Sequence, residues 1–213
     1  MSVHLKVIED GEPFAFSEEN RAEVERILAK YPPERKRSAI LPLLHLAQKQ
    51  NGGWVSRQVV EHVAELLEIP KIQALEVATF YTMFNLKPIG RHHVQVCGTT
   101  PCWLRGSDEI FRACRDMGLE KGRTTEDGLF HLSEVECLGA CVNAPVVQID
   151  DDYYEDLDYE KMKAILEAFR RGERPKPGPQ VDRQFAAPEG GPTTLKDRVP
   201  ANVTPGGRLK EDA

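Results

Sequence analysis

The chain has 213 residues and a formal net charge of -6, with 40% hydrophobic and 29% charged residues. This length allows one large or two small domains with a real core, and the composition is ordinary for a globular protein. The negative charge and the lack of a basic stripe argue against a nucleic-acid partner, and the longest apolar runs, such as 39–44, are too short to span a bilayer. We therefore expect no direct membrane insertion.

The first residues, MSVHLKVIEDGEPF, contain no apolar signal core and carry acidic residues early. They fit neither a secretory signal nor an Arg- and Ser-rich transit peptide. We therefore expect a reducing compartment, where cysteine clusters bind metal more often than they form structural disulfides.

Residues 17–86 show helical spacing of apolar side chains, and we predict a helical domain over residues 1–88, built as a small bundle. The first helix follows Ser17, which suits an N-cap, and stops at a pair of prolines. A second helix is predicted over residues 34–50. Pro42 should kink this helix or mark its true start.

Two more helices are predicted before the pattern changes. The third spans residues 56–67, with valines and leucines at helical spacing, and Pro70 can serve as the first residue of the fourth. The fourth helix carries an aromatic group at helical spacing, which favours a place in the core over contact with a cofactor. This group consists of Phe80, Tyr81 and Phe84.

Residues 89–172 are predicted to form a second domain, a small α/β layer fold. The predicted elements are strands over 92–97, 127–137, 145–150 and 153–154 and helices over 105–117 and 158–171. Residues 173–213 are rich in Pro, Gly and charge and have too little apolar surface to offset the entropy of ordering. We predict a flexible tail there, and because it contains no cysteine we expect its removal to leave a metal site intact.

Four of the five cysteines form two close pairs. Four residues separate Cys97 from Cys102, and three separate Cys137 from Cys141. Both loops are Gly-rich, so backbone N–H groups can turn toward sulfur, which suits a soft metal centre. The expected amide donors are Thr99, Thr100, Gly139 and Ala140. The fifth cysteine, Cys114, lies mid-helix and is expected to be a small buried hydrophobe.

Three interpretations of the cysteine pairs remain open from spacing. A structural zinc site needs four thiolates but typically uses shorter Cys-x2-Cys knuckles. A [2Fe-2S] cluster spreads its ligands over two irons and suits wider loops. Disulfides or free thiols are the third possibility. A Rieske site lacks the required histidines, and no Cys-x-x-Cys redox pair is present.

The segments CGTTPCWLRGS and ECLGACVNAPVVQID, with LLHLAQKQNGGWVS and EVATFYTMF upstream, resemble a known family. It is the family of the 24-kDa [2Fe-2S] subunit of respiratory NADH:quinone oxidoreductase (complex I). Diaphorase subunits of NAD-linked hydrogenases and formate dehydrogenases are similar. The resemblance runs through about residue 171 and leaves the predicted tail outside the common pattern.

The resemblance implies an α+β chain with an N-terminal helical bundle followed by a thioredoxin-like [2Fe-2S] ferredoxin domain. It also implies one [2Fe-2S] cluster bound by Cys97, Cys102, Cys137 and Cys141. FMN and NADH are expected on a partner, the flavin-bearing NADH-oxidising subunit of the 51-kDa type. In agreement, this chain has no GxGxxG after a strand and no P-loop motif.

The expected function is therefore that of an electron-carrying subunit within proton-translocating complex I, with no catalytic residue or substrate site of its own. Such a subunit would lie in the peripheral arm, attached to the membrane through other subunits, and the N-terminus favours the cytoplasmic side of a bacterial inner membrane. Two alternatives remain: a diaphorase-module subunit of a hydrogenase or formate dehydrogenase, and a zinc-stabilised interaction module without a redox role.

Overall fold

The computed structural model describes residues 8–188, 191 and 193–198. The chain divides between Ile89 and Gly90 into two compact units. The first unit contains helices, and the strands assigned within the described residues all lie in the second. In this part of the chain, no helix combines the length and the apolar character needed to cross a membrane.

The first unit contains four α-helices preceded or joined by short segments. They are α1 (Glu18–Leu28), α2 (Ile40–Gln50), α3 (Arg57–Leu67) and α4 (Lys71–Phe80), with a 3₁₀ segment over Pro33–Ala39. Ser17 caps α1 by accepting the Asn20 N–H, and Ser56 caps α3 by accepting the Val59 N–H. Helix α2 packs against α1, α3 and α4.

The core of the first unit is built from one apolar face on α2 and one on α3. Its fully buried members include Leu43, Leu44, Ala47, Val59, Val63 and Leu67. Each large aliphatic side chain buried in this way contributes about 1.5–3 kcal/mol to folding. Burial of this core therefore stabilises the helices more than the intrinsic helix propensity of their residues does.

The predicted second helix starts later than expected. Residues 34–39 belong to the 3₁₀ segment, and α2 begins at Ile40 with Pro42 in its first turn. Proline is accepted there because the first helical N–H groups have no partner within the helix. Of the two possibilities predicted for Pro42, the structure shows a helix start.

The predicted fourth helix differs at both ends. Pro70 is the N-cap residue instead of the first helical residue, and α4 ends at Phe80. The expectation that the aromatic group lies in the core is met by Phe84, which is buried, and is wrong for Phe80, which is 76% exposed. Phe80 is the last residue of α4, and its ring contacts that of Tyr81.

The second unit is a six-stranded sheet with helices. Its elements are β1 (His92–Cys97), α5 (Thr100–Leu104), α6 (Ser107–Asp116), β2 (Arg123–Thr124), β3 (Phe130–Val135), β4 (Val147–Ile149), β5 (Asp152–Glu155), α7 (Tyr159–Arg170) and β6 (Gly178–Pro179). The strand order is β2-β3-β1-β4-β5-β6. The helix predicted over 105–117 starts only at Ser107, because Gly106 before it adopts a left-handed conformation with φ of 98°. The short helix α5 was not predicted.

Alternate residues of the central strands pack against α6 and α7. The buried members include Val94, Val96, Phe130, Leu132, Ile110, Met162 and Leu166. The alternation along β1 and β3 follows from the two-residue period of a strand. Asp158 caps α7 by accepting the Lys161 N–H at 2.8 Å, so the helix predicted from residue 158 begins one residue later, at Tyr159.

The pairing of β1 with β3 decides where the cysteines lie. These strands are parallel neighbours, and Cys97 at the end of β1 is opposite Val135 at the end of β3. Parallel neighbours deliver their following segments to the same edge of a sheet. The loops carrying the two cysteine pairs therefore leave the sheet side by side.

The prediction of a flexible tail is wrong for residues 173–188. Strand β6 pairs with β5, and the Gln180 N–H donates to the Glu155 carbonyl at 3.0 Å. Arg183 is buried and forms an ion pair with Asp156. The prediction considered only apolar surface, whereas backbone hydrogen bonds and a buried ion pair hold this segment. Most of the rest of the predicted tail lies outside the described residues.

Candidate metal centre

The first cysteine pair is buried at the end of β1. Cys97 is the last residue of that strand, and Cys102 lies in α5; their exposed fractions are 1% and 2%. Thr99 precedes α5, and its hydroxyl oxygen lies 3.3 Å from the Cys97 sulfur. The turn between strand and helix thus directs both thiols inward.

The second pair lies on an exposed loop that follows β3. The sulfur atoms of Cys137 and Cys141 are 3.3 Å apart, and both residues are exposed. Gly139 between them has φ of 82°, a conformation that side chains with a Cβ rarely adopt, and its N–H lies 3.4 Å from the Cys137 sulfur. Glycine is therefore needed for this amide to reach sulfur.

The four thiols stand as two pairs that influence each other. The Cys97 thiol acts electrostatically on both Cys137 and Cys141, and Cys141 acts on Cys102. Across residues 8–188, 191 and 193–198, no three His, Cys, Asp or Glu side chains surround a position suitable for one ion. The donors thus form two neighbouring pairs rather than one tetrahedron.

The environment separates the pKa values within each pair. Burial raises the pKa of Cys102 to about 12, and its hydrogen bond with Cys97 adds to the rise. Burial also opposes ionisation of Cys97, but hydrogen bonds from the Thr99 hydroxyl and amide, from the Cys102 thiol and from the Leu138 amide together lower the pKa of Cys97. The thiolate needed for metal binding is therefore favoured on one member of the buried pair.

The pKa values of the exposed pair are divided in the same way, with hydrogen bonds as the largest cause. The hydrogen bond from the Gly139 amide lowers the pKa of Cys137, and the Cys141 thiol adds to this. The hydrogen bond shared with Cys137 raises the pKa of Cys141. One thiol of this pair is thus also prepared to bind metal.

The amides of Thr99 and Gly139 were predicted as donors to sulfur, and both contact thiols. Two further amides were missed: that of Leu138 contacts Cys97, and that of Val146 contacts Cys102. No sequence signal could have found them, because each contact joins different cysteine loops.

Cys114 and the Ala144–Pro145 peptide bond lie outside this set of donors. Cys114 is fully buried on α6, as expected for a small core residue, and burial raises its pKa to about 12. The peptide bond between Ala144 and Pro145 is cis, although trans is the more frequent isomer before proline.

Exposed apolar side chains flank both loops. Trp103 and Leu104 follow Cys102, Val142 follows Cys141, and Phe185 accepts a hydrogen bond at its carbonyl from Asn143. We describe these four exposed residues, Trp103, Leu104, Val142 and Phe185, as the apolar rim. Large exposed apolar side chains beside a site are typical of contact surfaces.

A thioredoxin-like sheet with two cysteine pairs on adjoining loops at one edge is the arrangement of a ferredoxin, a small protein that carries an iron–sulfur cluster. Residues 24–170 match the family described as thioredoxin-like [2Fe-2S] ferredoxin. The chain belongs to this family, which confirms the predicted thioredoxin-like ferredoxin fold and the [2Fe-2S] type of cofactor.

Relatives agree with the resemblance noted from the motifs. An NADH-quinone oxidoreductase subunit of Rickettsia bellii is 61% identical over 158 residues, which cover 74% of this chain and 95% of that protein. Mitochondrial NADH dehydrogenase (ubiquinone) flavoprotein 2 of Dictyostelium discoideum is 49% identical over 198 residues, 92% of this chain and 80% of that protein. These identities confirm the predicted family.

The Dictyostelium match bears on the predicted tail. A match that covers 92% of this chain necessarily runs past residue 190. The tail was expected to lie outside the pattern common to relatives. The family match ends at residue 170 and the Rickettsia bellii match covers 74% of this chain, whereas the Dictyostelium match extends into the tail.

One solved structure is similar to this chain in fold alone. The air-oxidised NAD+-reducing [NiFe]-hydrogenase superposes with a TM-score of 0.53 at 20% identity, over 61% of this chain and 23% of that chain.

Proposed function

We propose that this chain is an electron-transfer subunit of an NADH:quinone oxidoreductase and holds one [2Fe-2S] cluster on Cys97, Cys102, Cys137 and Cys141. The observation that carries the proposal is the meeting of two thiol pairs at the edge shared by β1 and β3. A [2Fe-2S] cluster takes four thiolates, and two neighbouring pairs fit its two irons.

The chemistry of the donors also fits this group. When bound, the cluster supplies one-electron transfer. The chain contributes four sulfur ligands, amides directed at sulfur and a buried side at Cys97 and Cys102 from which water is excluded. Hydrogen bonds to sulfur favour the more negative, reduced state and raise the reduction potential.

In this proposal the electrons come from FMN on a flavin-bearing, NADH-oxidising partner of the 51-kDa type. The support on this chain is the apolar rim, in which Trp103 is 57% and Leu104 is 70% exposed. A partner that covered the rim would approach the exposed Cys137 and Cys141 closely. This chain would then act as an electron carrier and bind neither FMN nor NADH.

The chain would be a peripheral component, held on the cytoplasmic side of a bacterial inner membrane by other subunits. The support is the name shared by the Rickettsia relatives and the lack of a spanning helix in the described residues.

The hydrogenase alternative has weaker support. Identity is 61% to a quinone oxidoreductase subunit over 95% of its length, but 20% to the hydrogenase chain over 23% of its length. The zinc alternative conflicts with membership of a [2Fe-2S] family.

The test of the cluster is an EPR spectrum of the anaerobically purified, dithionite-reduced full chain, with iron and zinc counted in the same sample. We expect a rhombic spin-one-half signal and two irons per chain. A silent spectrum with one zinc per chain would overturn the proposal.

The test of the partner is co-expression with the flavin-bearing subunit, followed by reduction with NADH. Leu104→Asp and Val142→Asp should weaken association roughly tenfold, because a charge would be placed on the covered rim. Ala164→Asp on the exposed face of α7 is the control. Equal association of all three variants would contradict docking on the rim.

A further inference from the structure

We propose that residues 173–188, here called the strap, position the second cysteine loop, and that Arg183 is the positioning residue. The second cysteine loop comprises residues 136–146, between β3 and β4. The inference rests on the proposed role of Cys137 and Cys141 as cluster ligands, and it assigns a function to a segment that composition alone marks as a tail.

The second cysteine loop has few hydrogen bonds of its own. The Asn143 N–H donates to the Ala140 carbonyl at 2.9 Å, and the Ala144 N–H donates to the Cys141 carbonyl at 3.3 Å. These bonds shape the loop, but they join loop residues to each other. Holding the exposed thiols in place requires contacts from outside the loop.

Arg183 supplies such a contact from the strap. Its guanidinium donates to the Val142 carbonyl at 3.1 Å, directly after Cys141, and to the Ala187 carbonyl at 3.2 Å. It also forms a two-pronged ion pair with Asp156, and both side chains are only 7% exposed. A planar guanidinium can satisfy all these acceptors at once, which a lysine ammonium cannot.

Asn143 makes a second connection between loop and strap. This buried residue donates from its side-chain amide to the Phe185 carbonyl at 2.8 Å and to Glu155 at 2.6 Å. Its own carbonyl accepts the Asp156 N–H at 2.8 Å. The end of the loop is thus held between the end of β5 and the strap.

Backbone conformation points to the same contact. Asp156 has φ of 55° and Phe185 has φ of 47°, both in the left-handed region although neither is glycine. Such conformations persist where the surroundings determine them and often mark functional sites. Phe185 lies in the strap and binds Asn143 of the loop, and Asp156 follows β5 and binds both Arg183 of the strap and Asn143 of the loop.

The test compares three variants of the full chain. Arg183→Ala removes the side-chain hydrogen bonds of Arg183 to Val142 and Asp156, and Arg183→Lys keeps a charge beside Asp156 without the guanidinium fork. Arg174→Ala is the matched control, because Arg174 is also a strap arginine but is bonded to Asp150 and Asp152.

The first readout is hydrogen exchange of residues 136–146 in the iron-free chain. Loss of a charge-assisted hydrogen bond should speed exchange in this loop roughly tenfold or more in Arg183→Ala. Arg183→Lys should retain the thermal transition and still exchange faster, whereas Arg174→Ala should match the parent chain. If Arg183→Ala does not fold, the comparison of Arg183→Lys with Arg174→Ala tests the inference.

The second readout is the rate at which a chelator removes iron from the loaded chain, together with the EPR line shape. We expect roughly tenfold faster loss and a changed line shape in both Arg183 variants. Exchange and iron loss within twofold of Arg174→Ala would overturn the inference. A parent chain without iron would instead overturn the proposed function, and the exchange experiment would still test the strap.

Discussion

The hydroxyl group of Tyr153 on β5 donates a hydrogen bond to the backbone carbonyl of Leu138, with 2.9 Å between the oxygens. Leu138 follows the proposed ligand Cys137, and its amide contacts the Cys97 thiol. A side chain of the sheet therefore supports the residue at which the two cysteine loops meet.

Tyr153→Phe should lower the free energy of unfolding by about 1 kcal/mol, because one hydrogen bond is lost. It should also change the EPR line shape, because the Leu138 peptide can then shift relative to sulfur. Tyr159→Phe is the control, since its hydroxyl group donates to Asp116. Identical spectra for the two variants would show that Tyr153 has no influence on the centre.

Serine substitution of each proposed ligand should lower the iron content and weaken or abolish the EPR signal. The reason is that an alcohol is a far weaker ligand than a thiolate for a soft iron–sulfur centre. Cys114→Ser is the control, because this cysteine is buried on α6 away from the loops. A normal cluster in all four variants would refute the ligand assignment of Cys97, Cys102, Cys137 and Cys141.

Gly139→Ala should cost about 1–2 kcal/mol of stability, because alanine is strained at the positive φ that Gly139 adopts. The shifted amide should also lose its contact with the Cys137 sulfur, which lowers the reduction potential. Gly118→Ala is matched, because Gly118 has φ of 81° and open space around it. The thermal unfolding temperature should fall in both variants, whereas the reduction potential should change only in Gly139→Ala.

Acid should destabilise the second unit through His93. Burial lowers the pKa of His93 to about 4, the nearby His131 adds to the fall, and Asp150 opposes it. Between that value and the unfolded pKa of about 6.5, the unfolded chain binds more protons, so stability falls as the pH falls. A decrease from pH 7.5 to pH 5 should cost on the order of 2 kcal/mol.

The measurement is urea unfolding of the iron-free chain, followed by Trp103 fluorescence in a Trp54→Phe background. His93→Gln should flatten the pH profile, because glutamine does not titrate and can retain a hydrogen bond to Ser133. A profile as steep as that of the parent chain would assign the acid sensitivity to other groups.

Removal of the chain after Gly172 is now expected to speed iron loss, whereas sequence alone predicted an intact cluster. The change of expectation comes from Arg183 and Asn143, which join the strap to the loop that carries Cys141. Iron retention equal to that of the full chain after truncation would restore the original prediction.

Local sequence signals determined much of the architecture. The strand over 92–97 and the cap at Ser17 were found where predicted, because periodicity and capping depend on residues a few positions apart. The two cysteine pairs were also evident from spacing alone. The family resemblance then supplied the type of cofactor, which spacing had left open.

Only the tertiary structure decided how the site is assembled. The register of β1 with β3 brings the loops together, the amides of Leu138 and Val146 reach thiols of other segments, and Arg183 is buried against Asp156. Each of these contacts joins residues far apart along the chain. Composition and periodicity carry information only about residues that are close in sequence. A segment rich in Pro, Gly and charge was therefore predicted to be a free tail, although long-range hydrogen bonds and an ion pair hold it in place.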